Sequence, residues 1–135
     1  MSWQGYIDQS LVGSGHIDEA AIISAAGDSV WATSPNFAQL KPDELKAIAA
    51  IFEANGQAAI DKAYSDGLHI AGEKYIATIV SAEDNIAMIR KGKTGVAIAK
   101  TKQAIVVGHY GENAQASNAR ATVEALADYL RKSGY

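Results

Sequence analysis

The stretch IAMIRKGKTGVAIAKTKQAIVV, residues 86–107, decides the fold. It holds three short apolar runs, Ile86 to Ile89, Val96 to Ala99 and Ala104 to Val107. Runs of this length, rich in Ile and Val and bounded by Gly and polar residues, read as strands. The links between them are too short for a crossover, so neighbouring strands pair antiparallel. Lys93-Thr94-Gly95 reads as a hairpin tip. The tripeptide Gly92-Lys93-Thr94 lacks the upstream glycine of a phosphate-binding loop, and between two strands it is a turn.

Upstream, Leu68 to Ala71 and Tyr75 to Val80 have the same strand character. Ile17 to Ser24 and Val30-Trp31-Ala32 form a further hairpin across Ala26-Gly27-Asp28. Helical patterns frame these strands. The first spans Ser2 to about Val12, with Ser2 as N-cap, an apolar stripe of Trp3, Tyr6, Ile7 and Leu11, and a stop at Gly13 and Gly15. Pro42 opens another, with Asp43 and Glu44 suiting the positive end of its dipole. Leu45, Ile48, Ile51 and Phe52 follow at helical spacing, and Asn55-Gly56 closes it. A short helix fits Ala58 to Tyr64. The last runs from Ser117 to Lys132, capped by Ser117 or Asn118, and buries Ala121, Val123, Leu126, Ala127 and Leu130. The expectation is a single α+β domain over residues 1–135: one antiparallel sheet covered by helices on both faces, the two terminal helices sharing a face.

Composition narrows the class. Hydrophobic residues are 48% and charged residues 20%, ordinary for a soluble globule. Cysteine is absent, so there is no disulfide, thiolate zinc site or iron–sulfur cluster, and a reducing compartment fits. No apolar run approaches membrane-span length, and MSWQGYID is no signal peptide. The expected location is the cytoplasm. A net charge of −3 argues against nucleic acid. Yet no acid lies between Asp84 and Glu112, while Arg90, Lys91, Lys93, Lys100 and Lys102 give that window +5. It can attract an anionic partner, or it can be a solvated strand face.

Nothing nominates a reaction. His16, His69 and His109 lack metal-ligand spacing, and there is no nucleophile elbow or Walker loop. The acid pairs Asp18-Glu19, Asp43-Glu44 and Glu83-Asp84 sit where turns and helix starts explain them. Neither metal nor cofactor is expected, and the chain reads as a non-enzyme.

The chain ends are unusual. Trp3, Tyr6, Tyr129 and Tyr135 crowd the two termini, which in most domains fray. Side-by-side terminal helices would bring these rings together. Such a cluster suits a polyproline II peptide, whose flat pyrrolidines stack on rings and whose free carbonyls accept indole and phenol hydrogen bonds. Equally, the rings could pin the ends to the sheet. Trp31, in an apolar strand, reads first as core.

SWQGYID at 2–8, AGDSVWATS at 26–34, GLHIAGEKYI at 67–76 and LADYL at 126–130 closing on Tyr135 together resemble profilin, in order and from end to end. The pattern is closer to fungal and plant-like members than to animal ones. The resemblance implies a six- to seven-stranded antiparallel sheet, with the N- and C-terminal helices on one face and smaller helices on the other. It implies a monomeric actin-binding protein of the cytoskeleton that regulates polymerisation and has three ligand classes: monomeric actin, proline-rich proteins such as formins, and phosphoinositide surfaces. Carried over by position, the polyproline groove is Trp3, Tyr6, Trp31, Tyr129, Leu130 and Tyr135. The actin face is Lys74, Arg90, Lys91, Lys93, Ser117, Arg120 and Glu124, on the other side of the domain. Phosphoinositide would meet Arg90, Lys91, Lys93 and Lys100. Ser117 and Arg120 depart from the glycine and asparagine-like residues frequent there in the family, and the segment from Glu53 to Asp66 is longer and more helical. A small-molecule or lipid-binding sensor domain on a similar sheet is the alternative.

Overall fold

The computed structural model describes residues 3–37, 40–53, 56–81 and 83–135. Seven strands form one antiparallel sheet: β1 (Glu19–Ser24), β2 (Val30–Thr33), β3 (Leu68–Ile70), β4 (Glu73–Ser81), β5 (Ile86–Lys91), β6 (Thr94–Lys100) and β7 (Ala104–Tyr110). Their order across the sheet is β2-β1-β7-β6-β5-β4-β3. The pairing of β1 with β7, Ile22 opposite Val106, joins the two ends of the chain in space.

Strands covered on both faces carry near-continuous apolar runs, and alternation sorts their side chains into two cores. One core takes Ala20, Ala97, Ala99, Ala104 and Val106, and the other takes Ile23, Val96, Ile98, Ile105 and Val107. The first face is built mostly from small residues, so helices can lie close to it. At Gly108 a Cβ would come within 2.8 Å of the Val123 side chain.

The terminal helices occupy that face. The N-terminal one begins as α1 (Trp3–Gly5), widens into a π-helical stretch at Tyr6–Leu11 and tightens to a 3₁₀ turn at Val12–Ser14. Sequence periodicity predicts an ordinary helix here. The wider turn is what buries Tyr6, Ile7 and Leu11 together. Gly13 lies inside the helical segment, and Gly15, at φ +83°, ends it. The expected N-cap, Ser2, is outside the described residues. The C-terminal helix is numbered α4 (Ala116–Lys132), and it buries Ala119, Val123, Leu126, Ala127 and Leu130. Its N-cap position is Gln115, not Ser117 or Asn118, and it makes no side-chain cap.

The other face is covered by α2 (Pro42–Ala50) and α3 (Gln57–Ser65). Pro42 opens α2 as its fixed φ predicts, but the helix ends at Ala50, before the expected Asn55-Gly56 stop. Asn55 is outside the described residues, and Gly56 is the N-cap of α3. Glu44 is buried in α2. Its Oε1 accepts the backbone N–H groups of Lys41 and Ala71, each at 3.0 Å, and its Oε2 accepts that of Gly72 at 2.9 Å. One carboxylate thus caps α2 and holds the β3–β4 turn to it.

The β5–β6 turn is Gly92-Lys93, one residue earlier than expected, because Lys91 still pairs with Thr94. Gly92 takes the left-handed conformation at φ +61°.

Candidate functional sites at the two ends of the C-terminal helix

The N-terminal helix and the last turns of α4 lie side by side, as their matching stripes require. Their aromatic residues meet beside β2. The Trp3 ring centre is 5.7 Å from Tyr6, 4.8 Å from Trp31 and 5.1 Å from Tyr135, and Tyr6 is 6.0 Å from Tyr129. Edge-on pairs at such spacings contribute about 0.5–1.5 kcal/mol each beyond their burial. Tyr129 is 55% exposed and Tyr135 40%, while Trp3 and Trp31 are half-buried. Apart from Tyr6, which is buried, the rings therefore form a surface rather than a core.

Backbone contacts set the last ring. The Tyr135 N–H donates to the Leu130 carbonyl at 2.9 Å. Its backbone oxygen accepts the Gln103 N–H at 2.6 Å and the Thr101 hydroxyl at 2.8 Å. The end of the chain is thereby tied to the β6–β7 turn. The Gln4 side-chain amide donates to the Thr33 carbonyl at 3.0 Å and ties the start of the chain to β2. Tyr6 titrates above the usual phenol range, first because it is buried and then because Tyr129 lies beside it. Its hydroxyl stays protonated at neutral pH and is hydrogen-bonded to that of Tyr129.

Of the six residues expected here, the structure gathers Trp3, Tyr6, Trp31, Tyr129 and Tyr135 on one surface. Leu130 is corrected: it is fully buried under the rings, because the α4 stripe points it at the sheet. The groove also continues where the expectation did not reach. Ser10, Thr122 and Ala125 line a concavity with Tyr6 and Tyr129. Small and polar residues carry no periodic signal, so only helix pairing reveals them.

At the other end of α4, a second concavity is lined by Arg90, Lys93, Ser117 and Arg120, with Ile79 and Tyr110. Arg120 Nε donates to Glu124 Oε1 at 2.9 Å, so Glu124 orients the guanidinium. Lys74 follows from strand alternation, because it shares a side of β4 with Ile76, which pairs with Arg90. The sheet register slips between Ala77 and Ile79, and the Thr78 hydroxyl donates to the Met88 carbonyl at 3.0 Å. This bulge puts Ile76 and Ile79 on the same side, 41% and 44% exposed. Simple alternation would send Ile79 inward, which is why reading the sequence missed it.

Three expectations change. Lys91 leaves the Arg90 side, because successive strand residues face opposite ways, and it pairs with Glu73. Lys100 is at the far end of β6, about 20 Å from the hairpin tip at strand rise. There its carbonyl accepts Arg131 Nη2 at 2.6 Å. The four cations expected to hold one headgroup are therefore not one patch. Finally, the two candidate regions are not separated by the sheet. Met88 and Tyr110, beside Arg90, belong to the terminal-helix core, so the separation runs along α4.

The histidines are dispersed. His109 Nδ1 lies 2.5 Å from Asp18 Oδ1 and its ring meets Phe37 and Tyr75 edge-on, while His16 and His69 are exposed. Among the described residues no three His, Cys, Asp or Glu side chains gather as a metal site.

A family model described as Profilin matches residues 1–135. The chain is 43% identical over 135 residues to a profilin of Schizosaccharomyces pombe, covering 100% of both chains. It is 41% identical over 135 residues to Profilin-A of Physarum polycephalum, again covering 100% of both. The crystal structure of the Schizosaccharomyces pombe profilin superposes with a TM-score of 0.89, covering 99% of this chain and 100% of that one at 41% identity. Mouse profilin IIa, solved in complex with a double repeat from the FH1 domain of mDia1, shares the fold at 22% identity, with a TM-score of 0.81 and 100% of both chains covered.

Proposed function

The chain belongs to the profilin family, non-enzymatic proteins that regulate actin, and we propose that it holds an actin monomer at one end of α4 and a proline-rich peptide at the other. The observation that carries the peptide reading is the aromatic surface itself. Trp3 touches three other rings, and the outer rings remain open to solvent. Rings needed only to pin the termini would be covered. A polyproline II helix would lay its prolines on Trp3, Trp31 and Tyr135, with its carbonyls facing the indole and phenol donors.

The actin region is the Arg90, Lys93, Ser117 and Arg120 concavity, with Lys74 beside it. Exposed Ile76 and Ile79 supply an apolar centre to a basic rim, the usual anatomy of a binding patch. The protein acts as a cytoplasmic monomer. Arg90 and Lys93 also suit an anionic lipid headgroup, a second reading favoured by their convergence with Arg120.

Titration with a proline decamer, followed by tryptophan fluorescence, tests the groove, since both tryptophans lie in it. The expected result is a saturable spectral change that Trp3→Ala removes. An unchanged spectrum from folded protein would sink the groove. Pyrene–actin assembly tests the other end, with slower spontaneous assembly expected from the wild-type protein.

A further inference from the structure

On the far face of the sheet, α2 and α3 leave a concavity of about 570 Å³ that neither region above uses. Its floor is apolar: Ala47 and Ala50 of α2, Ala59 and Ala63 of α3, and Leu68 of β3. Alanine at the facing positions leaves the space between the helices unfilled. A volume of this size falls within the roughly 300–1,000 Å³ of small-molecule sites, which are apolar with a few convergent polar groups.

Lys41, Lys62 and His69 lie on the rim, and none of their side chains bonds another described residue. Two acids share the lining, but they are not equivalent. The Glu44 carboxylate keeps its charge, but both of its oxygens already accept backbone N–H groups and are engaged there. Asp43 and Glu44 balance the formal charge of Lys41 and Lys62, so the selection is local rather than by net charge. The two ammonium groups have no partner among the described residues and can meet a ligand's acid group, whereas the Glu44 oxygens are held by the backbone.

From this geometry we infer that the concavity binds a small amphiphilic anion, an apolar body carrying one carboxylate or sulfonate. The body lies on the alanine floor between α2 and α3, and the acid group sits at the lysine rim. The sheet separates this site from both ends of α4, so it stands or falls independently of actin and polyproline binding.

The test is a titration of the full chain with 1-anilinonaphthalene-8-sulfonate, followed by fluorescence and by amide chemical shifts. The expected result is one saturable site, with shifts centred on Ala47, Ala59, Leu68 and Gly72, and no displacement by proline decamer. Lys62→Glu weakens binding by about tenfold or more, as does replacing the probe with its uncharged analogue N-phenyl-1-naphthylamine. Ala59→Leu, which fills the space, removes binding, while both variants still bind proline decamer and so are folded. The inference is overturned by any of three results: no binding up to about 1 mM, shifts centred on Trp3 and Tyr135 with displacement by the decamer, or equal binding of the uncharged analogue.

Discussion

Trp3 is the residue on which the aromatic surface turns. It lies within 5.7 Å of Tyr6, 4.8 Å of Trp31 and 5.1 Å of Tyr135, so its loss removes the common neighbour of three rings. Trp3→Ala should abolish proline-decamer binding and leave actin co-sedimentation close to wild type. Loss of both in a folded variant would refute the separation of the two sites. Leu130 makes the contrast. It is fully buried, so Leu130→Ala should act through packing and lower stability by roughly 2–4 kcal/mol in urea denaturation. Decamer affinity, measured on the folded protein, should fall far less than for Trp3→Ala.

At the scale of elements, the fold relies on two local devices. The first is Gly108 in β7, whose missing Cβ lets Val123 of α4 and Ile17 pack against the strand. The second is Glu44, whose two oxygens serve three backbone donors. Glu44→Gln puts an amide donor against at least one backbone N–H. It should lower the unfolding free energy measured in urea by about 1–3 kcal/mol, the range for a buried donor left without an acceptor. The β5–β6 hairpin sorts its charges by strand alternation. Arg90→Glu with Lys93→Glu should weaken binding to phosphoinositide vesicles and flatten its salt dependence, whereas Lys100→Glu should change it little. Equal effects from the two changes would mean that net charge, not the concavity, attracts the membrane.

At the scale of the molecule, α4 is the spacer. Its 17 residues span about 25 Å at helical rise, with the aromatic surface at one end and the basic concavity at the other. Saturating proline decamer should therefore leave actin affinity unchanged, and competition in sedimentation would refute this arrangement. The fold also responds to alkali as a unit. Burial raises the titration of Tyr6, Tyr75 and Tyr110 above the usual phenol value. The folded state holds these protons more tightly than the unfolded chain does. Their contribution is therefore complete below a pH of about 10 and is lost as pH rises through the folded values. Thermal unfolding scans should show a falling midpoint above that pH. Tyr110→Phe should make the fall shallower.

The sequence alone was enough for the strand runs, the antiparallel pairing and the aromatic ends, because these rest on local patterns: apolar run length, turn residues and helical stripes. The motifs spread from Ser2 to Tyr135 were enough for the family. Details set by distant neighbours lay beyond it. The π-helical widening at Tyr6–Leu11 answers to how the N-terminal helix beds on the sheet, not to its own periodicity. The bulge beside Thr78 turns Ile79 outward because β4 must keep register with β5. Leu130 left the groove, and Lys91 and Lys100 left the basic patch, because facing direction and distance along a strand exist only once the sheet is assembled. The meeting of the aromatic ends is the clearest case. Spacing allowed it, but the pairing of β1 with β7 and the docking of both terminal helices on one small-residue face brought it about.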